Sequence, residues 1–276
     1  MTKEEFIPLR DFIYEKTGIF FAENKMYLLE SRLSNRLSEL GFLSYDDYYF
    51  FLKYGNEDAK KELIRLLDVV TTNETSFFRN PPQLDAFKII MQKNYFNNNS
   101  NGLGMPLKIW SAACSTGEEP YTLAIILLEL MELTKKNIPF LIYATDISHR
   151  VLEAAKKGVY GPYSIRGMDQ AILNKYFIKN GDTYAVKDVV KKNVKFEFMN
   201  LIDKQAYSKY KFMDLVFCRN VLIYFDDKAK KKVIDSIYEC LKPGGFLTIG
   251  HAESLHNISR AFKPIMFPGS IVYQKG

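Results

Sequence analysis

Two adjacent glutamates, Glu118 and Glu119, stand in LKIWSAACSTGEEPYTLAIILLEL (107–130), where an apolar strand pattern gives way to an apolar helix pattern. In an open α/β sheet, ligands sit beyond the carboxyl ends of the strands, and the first strand-to-helix turn usually holds the cofactor. A pyrophosphate there needs glycines that let backbone N–H groups approach it, and it repels carboxylates. Acids at this turn suit a cation instead. A further acid, Asp146, closes FLIYATD (140–146), 27 residues beyond Glu119. At the end of a second strand a carboxylate can accept hydrogen bonds from the two hydroxyls of a ribose. The arrangement argues against a dinucleotide at this turn. The alternative is local: the glutamates favour a helix N-terminus and Asp146 caps the helix after it.

Two polar blocks carry further reactive side chains. TTNETSFFRNPPQ (71–83) holds Asn73, Thr75 and Arg79 in a proline-terminated connector, and FCRNVLIYF (217–225) sets Arg219, Asn220 and Tyr224 after an apolar run. Each has an ordinary alternative: turn hydrogen bonds for Asn73 and Thr75, an ion pair for Arg219, core packing for Tyr224. His149, His251 and His256 are isolated from one another and from the cysteines, and read as ordinary surface or core side chains. Cys114, Cys218 and Cys240 form no C-x-x-C pair, which points to reduced thiols and to no metal site.

The elements that must position these groups follow from periodicity. Residues 2–68 carry helical spacing almost throughout, broken at Thr17-Gly18, Gly41-Phe42 and Gly55-Asn56, which predicts an all-helical unit over 1–70. A linker over 71–82 leads to a helix from about Gln83 to Tyr95, and the asparagine-rich NNNSNGLGMP (97–106) reads as a loop. Beyond it strands alternate with helices: LKIWSA, Tyr121–Leu133, FLIYATD, His149–Lys157, NVKFEF, MDLVFC, a helix over about Lys228–Leu241, and GFLTIG after Lys242-Pro243-Gly244-Gly245. Such alternation predicts a mostly parallel sheet covered on both faces, with 83–276 as one α/β domain. The closing pair, FKPIMF and SIVYQ, is split only by Pro268-Gly269 and must be antiparallel, because parallel neighbours need a long crossover. Between about 158 and 193, KYFIKNGDTYAVKDVV offers two short runs across Asn180-Gly181, the signal of a hairpin and of a small inserted antiparallel β subdomain.

Composition bounds the function. At 276 residues with 47% hydrophobic side chains the chain can build sizeable cores. The start, MTKEEFIPLRDF, has no apolar signal region, and the longest apolar stretch, Leu123–Leu133, is broken by Glu129 and Glu132. A cytoplasmic protein without membrane insertion is expected. The formal charge of +6 is uneven: residues 1–100 hold 13 basic and 15 acidic side chains, the rest 25 and 17. A nucleic-acid surface would be more densely basic, so no such partner is expected, and the lysines of 228–232 read as solvated helix surface.

A parallel sheet ending in a reversed hairpin resembles the Rossmann-like fold of methyltransferases that use S-adenosyl-L-methionine (SAM), a donor with an ammonium, a ribose and no phosphate. The motifs narrow the likeness. WSAACSTGEEPYTLA, with TTNETSFFR upstream and FCRNVLIYF downstream, is similar to the CheR family of chemotaxis receptor methyltransferases. The helical unit, the β subdomain and GHAES (250–254) extend that resemblance over nearly the whole chain. It implies SAM as cofactor, S-adenosyl-L-homocysteine (SAH) as product, and no metal. It further implies that Asn73, Thr75 and Arg79 line the SAM pocket, with Arg79 near the transferred methyl group. Glu119, ahead of Glu118, matches the cofactor glutamate and Asp146 the ribose acid. Asn200 and Leu201 match the residues against adenine, Arg219-Asn220 the dipeptide closing the fourth strand, and Tyr224 faces the incoming carboxylate.

The implied reaction transfers methyl from sulfonium to the side-chain carboxylate of a receptor glutamate, giving a γ-glutamyl methyl ester. A glutamate with a pKa near ~4.3 is already ionised at neutral pH, so no base has to remove a proton. Arg79 and Tyr224 are then expected to orient the carboxylate without clamping it, since tight ion pairing would stabilise the ground state as well. The implied partner is the cytoplasmic helical domain of a chemoreceptor. In NKMYLLESRLSNRLSEL (24–40), Lys25, Arg32 and Arg36 fall within about 40° of one another at ~100° per residue, beside an apolar arc of Met26, Leu29, Leu33, Leu37 and Leu40. The resemblance implies that this basic stripe meets the acidic receptor bundle; ordinary surface charge beside Glu23, Glu30 and Glu39 is the alternative. The turn KNGDT is shorter than in family members that tether a receptor's C-terminal peptide, so no tether is expected.

Overall fold

The structure, a computed structural model, describes residues 1–97 and 106–276, so most of the loop expected over 97–106 lies outside the described residues. Four helices open the chain: α1 (Lys3–Thr17), α2 (Met26–Leu40), α3 (Tyr45–Tyr54) and α4 (Glu57–Val70). Their ends fall at the breaks in the sequence pattern. Gly18 and Gly41 turn left-handed, φ 74° and 76°, to close α1 and α2. Side chains of Thr2, Ser44 and Asn56 accept backbone N–H bonds at the starts of α1, α3 and α4. The connector 71–80 then enters α5 (Pro81–Met91), whose first turn carries two prolines that need donate no hydrogen bond there.

The second part follows as β1 (Leu107–Ala112), α6 (Glu118–Thr134), β2 (Phe140–Asp146), α7 (His149–Lys157), β3 (Val159–Tyr160), α8 (Gln170–Tyr176), β4 (Phe177–Asn180) and β5 (Thr183–Val186). It ends with α9 (Asp188–Lys191), β6 (Val194–Phe198), β7 (Met213–Cys218), α10 (Asp227–Cys240), β8 (Leu241–Ile249), β9 (Phe262–Phe267) and β10 (Ser270–Lys275). Seven strands form one sheet in the order β6-β2-β1-β7-β8-β10-β9. The first five in that order are parallel neighbours, and β10 runs antiparallel to both β8 and β9, the reversed hairpin expected from Pro268-Gly269. β3, β5 and β4 make a separate antiparallel sheet, closed by the Asn180-Gly181 turn. The stretch Lys242–Gly245, expected as a break before the strand, lies inside β8, where the register against β7 shifts between Met213 and Leu215. A Cβ on Gly245 would stand 2.9 Å from Lys242 O and 3.0 Å from Met213 O, so the shift needs a glycine.

Strand alternation sorts the core. Trp110 and Ala112 of β1, with Val216 and Cys218 of β7, face a cluster that also takes in Phe6, Leu9, Leu29 and Leu33 of the helical unit. Leu107 and Ile109, with Leu215 and Phe217, face the opposite cluster under α5 and α6. The helical unit therefore shares one hydrophobic core with the sheet. The chain builds outward from β1 through β2 to β6 on one side and continues with β7 and β8 on the other. The reversal falls between β1 and β7, the place where an open α/β sheet leaves a crevice at its carboxyl ends.

Candidate active site

The turn from β1 into α6 builds one wall of that crevice without the usual glycines. Ala113 (φ 67°) and Ser115 (φ 48°) are left-handed, as is Gly117 (φ 95°). Cβ at Gly117 would meet Ala155 Cβ at 2.9 Å, so this position alone demands glycine for space as well as for backbone angle. Phe78, Asn80 and Asn220 are left-handed too, which makes five of the seven described non-glycine residues with positive φ members or neighbours of this crevice. Each costs on the order of 1 kcal/mol and persists only because surrounding packing holds it, as is usual at functional sites.

α6 begins at Glu118, three residues before the expected start at Tyr121, and this puts both glutamates in its first turn, where they diverge. Glu118 is buried and accepts from Thr116 Oγ1 at 2.6 Å and Ser164 Oγ at 2.9 Å, facing the loop of the β subdomain. Burial pushes its carboxyl above the ordinary range. Glu119 lines the crevice. Its Oε1 accepts from Ser111 Oγ at 2.7 Å and its Oε2 from Arg219 Nη1 at 2.9 Å. Arg219 also donates to the backbone carbonyl of Arg79 at 3.0 Å, which ties the end of β7 to the connector.

Asp146 closes β2 with its carboxylate at the crevice wall, accepting from Ser115 N at 2.8 Å and Ser148 N at 3.0 Å. Desolvation raises its pKa, and the backbone donors oppose the rise. The local reading of Asp146 thus holds in part, since it anchors the start of α7, and it also borders the cavity. The connector 71–76 lines the crevice and is held there by Ser115 Oγ donating to Asn73 O at 3.2 Å. Asn73, Thr75 and Arg79 all line the crevice, and Arg79 Nη1 donates to Glu74 O at 2.6 Å.

Asn200 and Leu201, after β6, and Arg219, Asn220 and Tyr224, after β7, complete the lining. Asn200 Nδ2 donates to Lys16 O at 2.6 Å, joining this wall to the end of α1. All nine residues expected from the sequence to contact cofactor, with Tyr224, therefore border one space of about 1080 Å³, open mouth included. Sequence reasoning missed Thr17 and Ile19 of the helical unit, Thr122 of α6, and Met199 and Phe225, which also line it. The one signal for Thr17 and Ile19 was the break at Thr17-Gly18. Phe20 N donates to Tyr224 O at 2.8 Å and Ile19 bridges Phe225, so the α1–α2 connection packs directly on the segment after β7.

The expected basic stripe on α2 is not a row of free charges. Lys25 is exposed, but Arg32 donates to Val70 O and to Thr72 Oγ1, the latter at 2.7 Å. Arg36 pairs with Glu39 at 2.7 Å and, through Nε at 2.8 Å and Nη2, with buried Glu62 of α4, which also accepts from Tyr48. Glu62 lies 26 residues away on another helix, beyond the local acids weighed from the sequence.

Comparison with known proteins agrees with this geometry. Residues 4–71 match the CheR methyltransferase all-alpha domain, and residues 73–270 match the CheR methyltransferase SAM-binding domain. Chemotaxis protein methyltransferase 2 of Vibrio cholerae is 35% identical over 276 residues, covering 100% of this chain and 94% of the relative. The chemotaxis protein methyltransferase of Borreliella burgdorferi is 38% identical over 256 residues, 92% of this chain and 89% of the relative. Chemotaxis protein methyltransferase 1 of Pseudomonas aeruginosa is 34% identical over 277 residues, covering 98% and 97%. The chain belongs to the CheR methyltransferase family. Its cofactor is SAM, and the crevice fits that molecule: two acids at separate strand ends and a buried Arg219 Nε in the wall that has no partner among the described residues. No described helix is long and apolar enough to cross a membrane.

Proposed function

We propose that the protein methylates glutamate side chains on the cytoplasmic helical domain of chemoreceptors, producing γ-glutamyl methyl esters for sensory adaptation. The observation that carries this reading is the lining of the crevice: Glu119 and Asp146 border the same space as Arg79 and Tyr224. Glu119 would hold the cofactor's ammonium, Asp146 its ribose hydroxyls, and Asn200 and Leu201 its adenine. Asn73 and Thr75 would close over it from the connector. Arg219 Nε offers a donor to the cofactor's carboxylate, while its Nη1 keeps Glu119 oriented. When bound, SAM supplies an electrophilic methyl group on a sulfonium.

The residues themselves then have three tasks. Arg79 and Tyr224 orient the acceptor carboxylate, which arrives ionised and needs no base. Burial of Arg219 and Asp146 keeps the site dry enough for their hydrogen bonds to count fully. The connector and the Thr17–Ile19 corner, which line the same space, would exclude water from it. Helices 1–70 would recognise the receptor through Lys25, with Arg32 and Arg36 serving chiefly as internal struts of that surface. No receptor-tail tether is assigned to the β subdomain, whose hairpin β4–β5 closes through Gly181 and Asp182 alone.

The test uses methyl-labelled SAM and purified chemoreceptor cytoplasmic domains. Glutamyl esters release volatile labelled methanol in mild base, and N-methyl products do not. Incorporation that resists base, or label that goes to RNA or a small molecule instead, would reject this substrate assignment.

A further inference from the structure

Residues 219–225 leave β7 bearing Arg219, Asn220 and Tyr224, and inside the segment two backbone bonds shape the turn, Tyr224 N to Val221 O and Phe225 N to Leu222 O, both at 3.1 Å. Asn220 takes a left-handed backbone, φ 57°, and the short turn Leu222–Tyr224 has no side-chain cap of its own. Its free backbone donors are met from a distant part of the chain. Glu253, in the connection between β8 and β9, accepts from Asn220 N at 3.2 Å and Gly250 N at 2.5 Å through Oε2, and from Ile223 N at 3.1 Å through Oε1. One carboxylate thus takes three backbone N–H groups, two of them from the segment that carries Tyr224. Such charge-assisted bonds are roughly twice as strong as neutral ones.

The neighbouring glycine fits this contact. A Cβ on Gly250 would stand 2.6 Å from Glu253 Oε2 and 2.9 Å from Asn220 N, so a side chain there would push the carboxylate and the segment apart. Glu253 does not line the crevice, and no other side chain donates a hydrogen bond to it among the described residues. Burial raises its pKa, and the backbone donors oppose the rise, as for a carboxyl group withdrawn from solvent to serve the main chain.

We propose that Glu253 is a positioning residue for methyl transfer: its carboxylate fixes the backbone of 219–224, and so sets Tyr224 against the incoming acceptor. The inference rests on the role given to Tyr224 above. Glu253→Gln keeps shape but turns an NH₂ toward donors, and Gly250→Ala disturbs the same contact from the other side. Both variants are to be compared with the wild type by amide hydrogen exchange, SAH calorimetry and methyl transfer. The expected result is exchange at least about tenfold faster at Asn220–Tyr224 alone, with SAH stoichiometry intact and its affinity within about threefold. Turnover should fall by roughly thirtyfold in Glu253→Gln, and the loss should not multiply with that of Tyr224→Phe, because both act through one side chain.

Unchanged exchange at 220–224, or losses that multiply, would overturn the proposal. So would faster exchange throughout the chain together with reduced SAH stoichiometry, the signature of a general loss of structure. The exchange measurement needs no acceptor and therefore decides the role of Glu253 independently. Failure of the wild type to form base-labile esters would sink only the glutamate reading.

Discussion

Replacing each member of the Glu118–Glu119 pair in turn tests which acid serves the cofactor. In Glu119→Gln the amide oxygen can keep the 2.7 Å bond from Ser111, but the charge that pairs with Arg219 at 2.9 Å is gone. Both partners are largely buried, with side chains 14% and 5% exposed, so solvent screens little of the change. A hydrogen bond to a charged group is worth about 1.5–3 kcal/mol, and the same amount is at stake when the ammonium of the ligand meets an amide. The unbalanced Arg219 charge repels that ammonium and acts in the same direction. With 1.4 kcal/mol per tenfold, affinity should fall about ten- to a hundredfold. Glu118→Gln alters hydrogen bonds to Thr116 and Ser164 on the side away from the crevice. SAH affinity should stay within about threefold there, while the melting temperature drops by roughly 2–4 °C for each kcal/mol lost. Calorimetric titration with SAH and thermal melts of both variants provide the comparison. Equal weakening by the two substitutions, or an unaffected Glu119→Gln, would refute the division of labour.

Further outcomes follow from the same geometry. On the role proposed for it in orienting the acceptor, Arg79→Ala should lower turnover by about a hundredfold while SAM affinity changes less than about threefold; steady-state kinetics showing equal losses would contradict this. Arg36→Ala strands Glu62, 3% exposed, without its cation and should cost about 3–5 kcal/mol in urea unfolding. Lys25→Glu, at an exposed position, should leave the unfolding curve unchanged and weaken receptor methylation only. SAH affinity should rise with pH above the ordinary Asp146 value of 3.8, because ribose hydroxyls favour the ionised carboxylate and binding releases its proton. The stability of the free protein takes the opposite sign. A raised folded pKa makes the Asp146 contribution full below 3.8 and lost as pH climbs through the raised value. Titrations in buffers of different ionisation enthalpy would show the proton release, and affinity independent of pH from about 4 to 7 would exclude it.

Much of this architecture was legible in the sequence because it rests on local patterns. LKIWSA and FLIYATD are apolar runs of strand length bounded by polar turns, and they are β1 and β2 to the residue. Pro268-Gly269 allowed only a tight reversal, and β9 and β10 form it. Three polar blocks far apart in the chain converge because each follows, or packs across, the carboxyl end of a strand at the sheet's switch point. What stayed hidden depends on partners distant in sequence. Neither glutamate could be preferred from spacing, since successive helical positions differ by ~100° and the choice turns on where α6 starts. Arg36 read as surface charge because Glu62 belongs to another helix. The β8 stretch Lys242–Gly245 resembled a turn because proline and two glycines signal one, whereas tertiary pairing with β7 kept it in the sheet with a shift of register.

The hydrogen bond from Phe20 to the carbonyl of Tyr224, with the Ile19–Phe225 bridge beside it, has a consequence for how the enzyme works as a machine. The contact joins the α1–α2 connection to the segment that bears Tyr224, so on the proposed roles a receptor bound at the helices would sit one hydrogen bond from the tyrosine that faces the acceptor. A chain beginning after Val70 would be left with a breached cavity and a bare apolar flank beneath β1 and β7. The helical unit supplies part of the cavity lining and of the common core, so it could not be exchanged for another without rebuilding that wall.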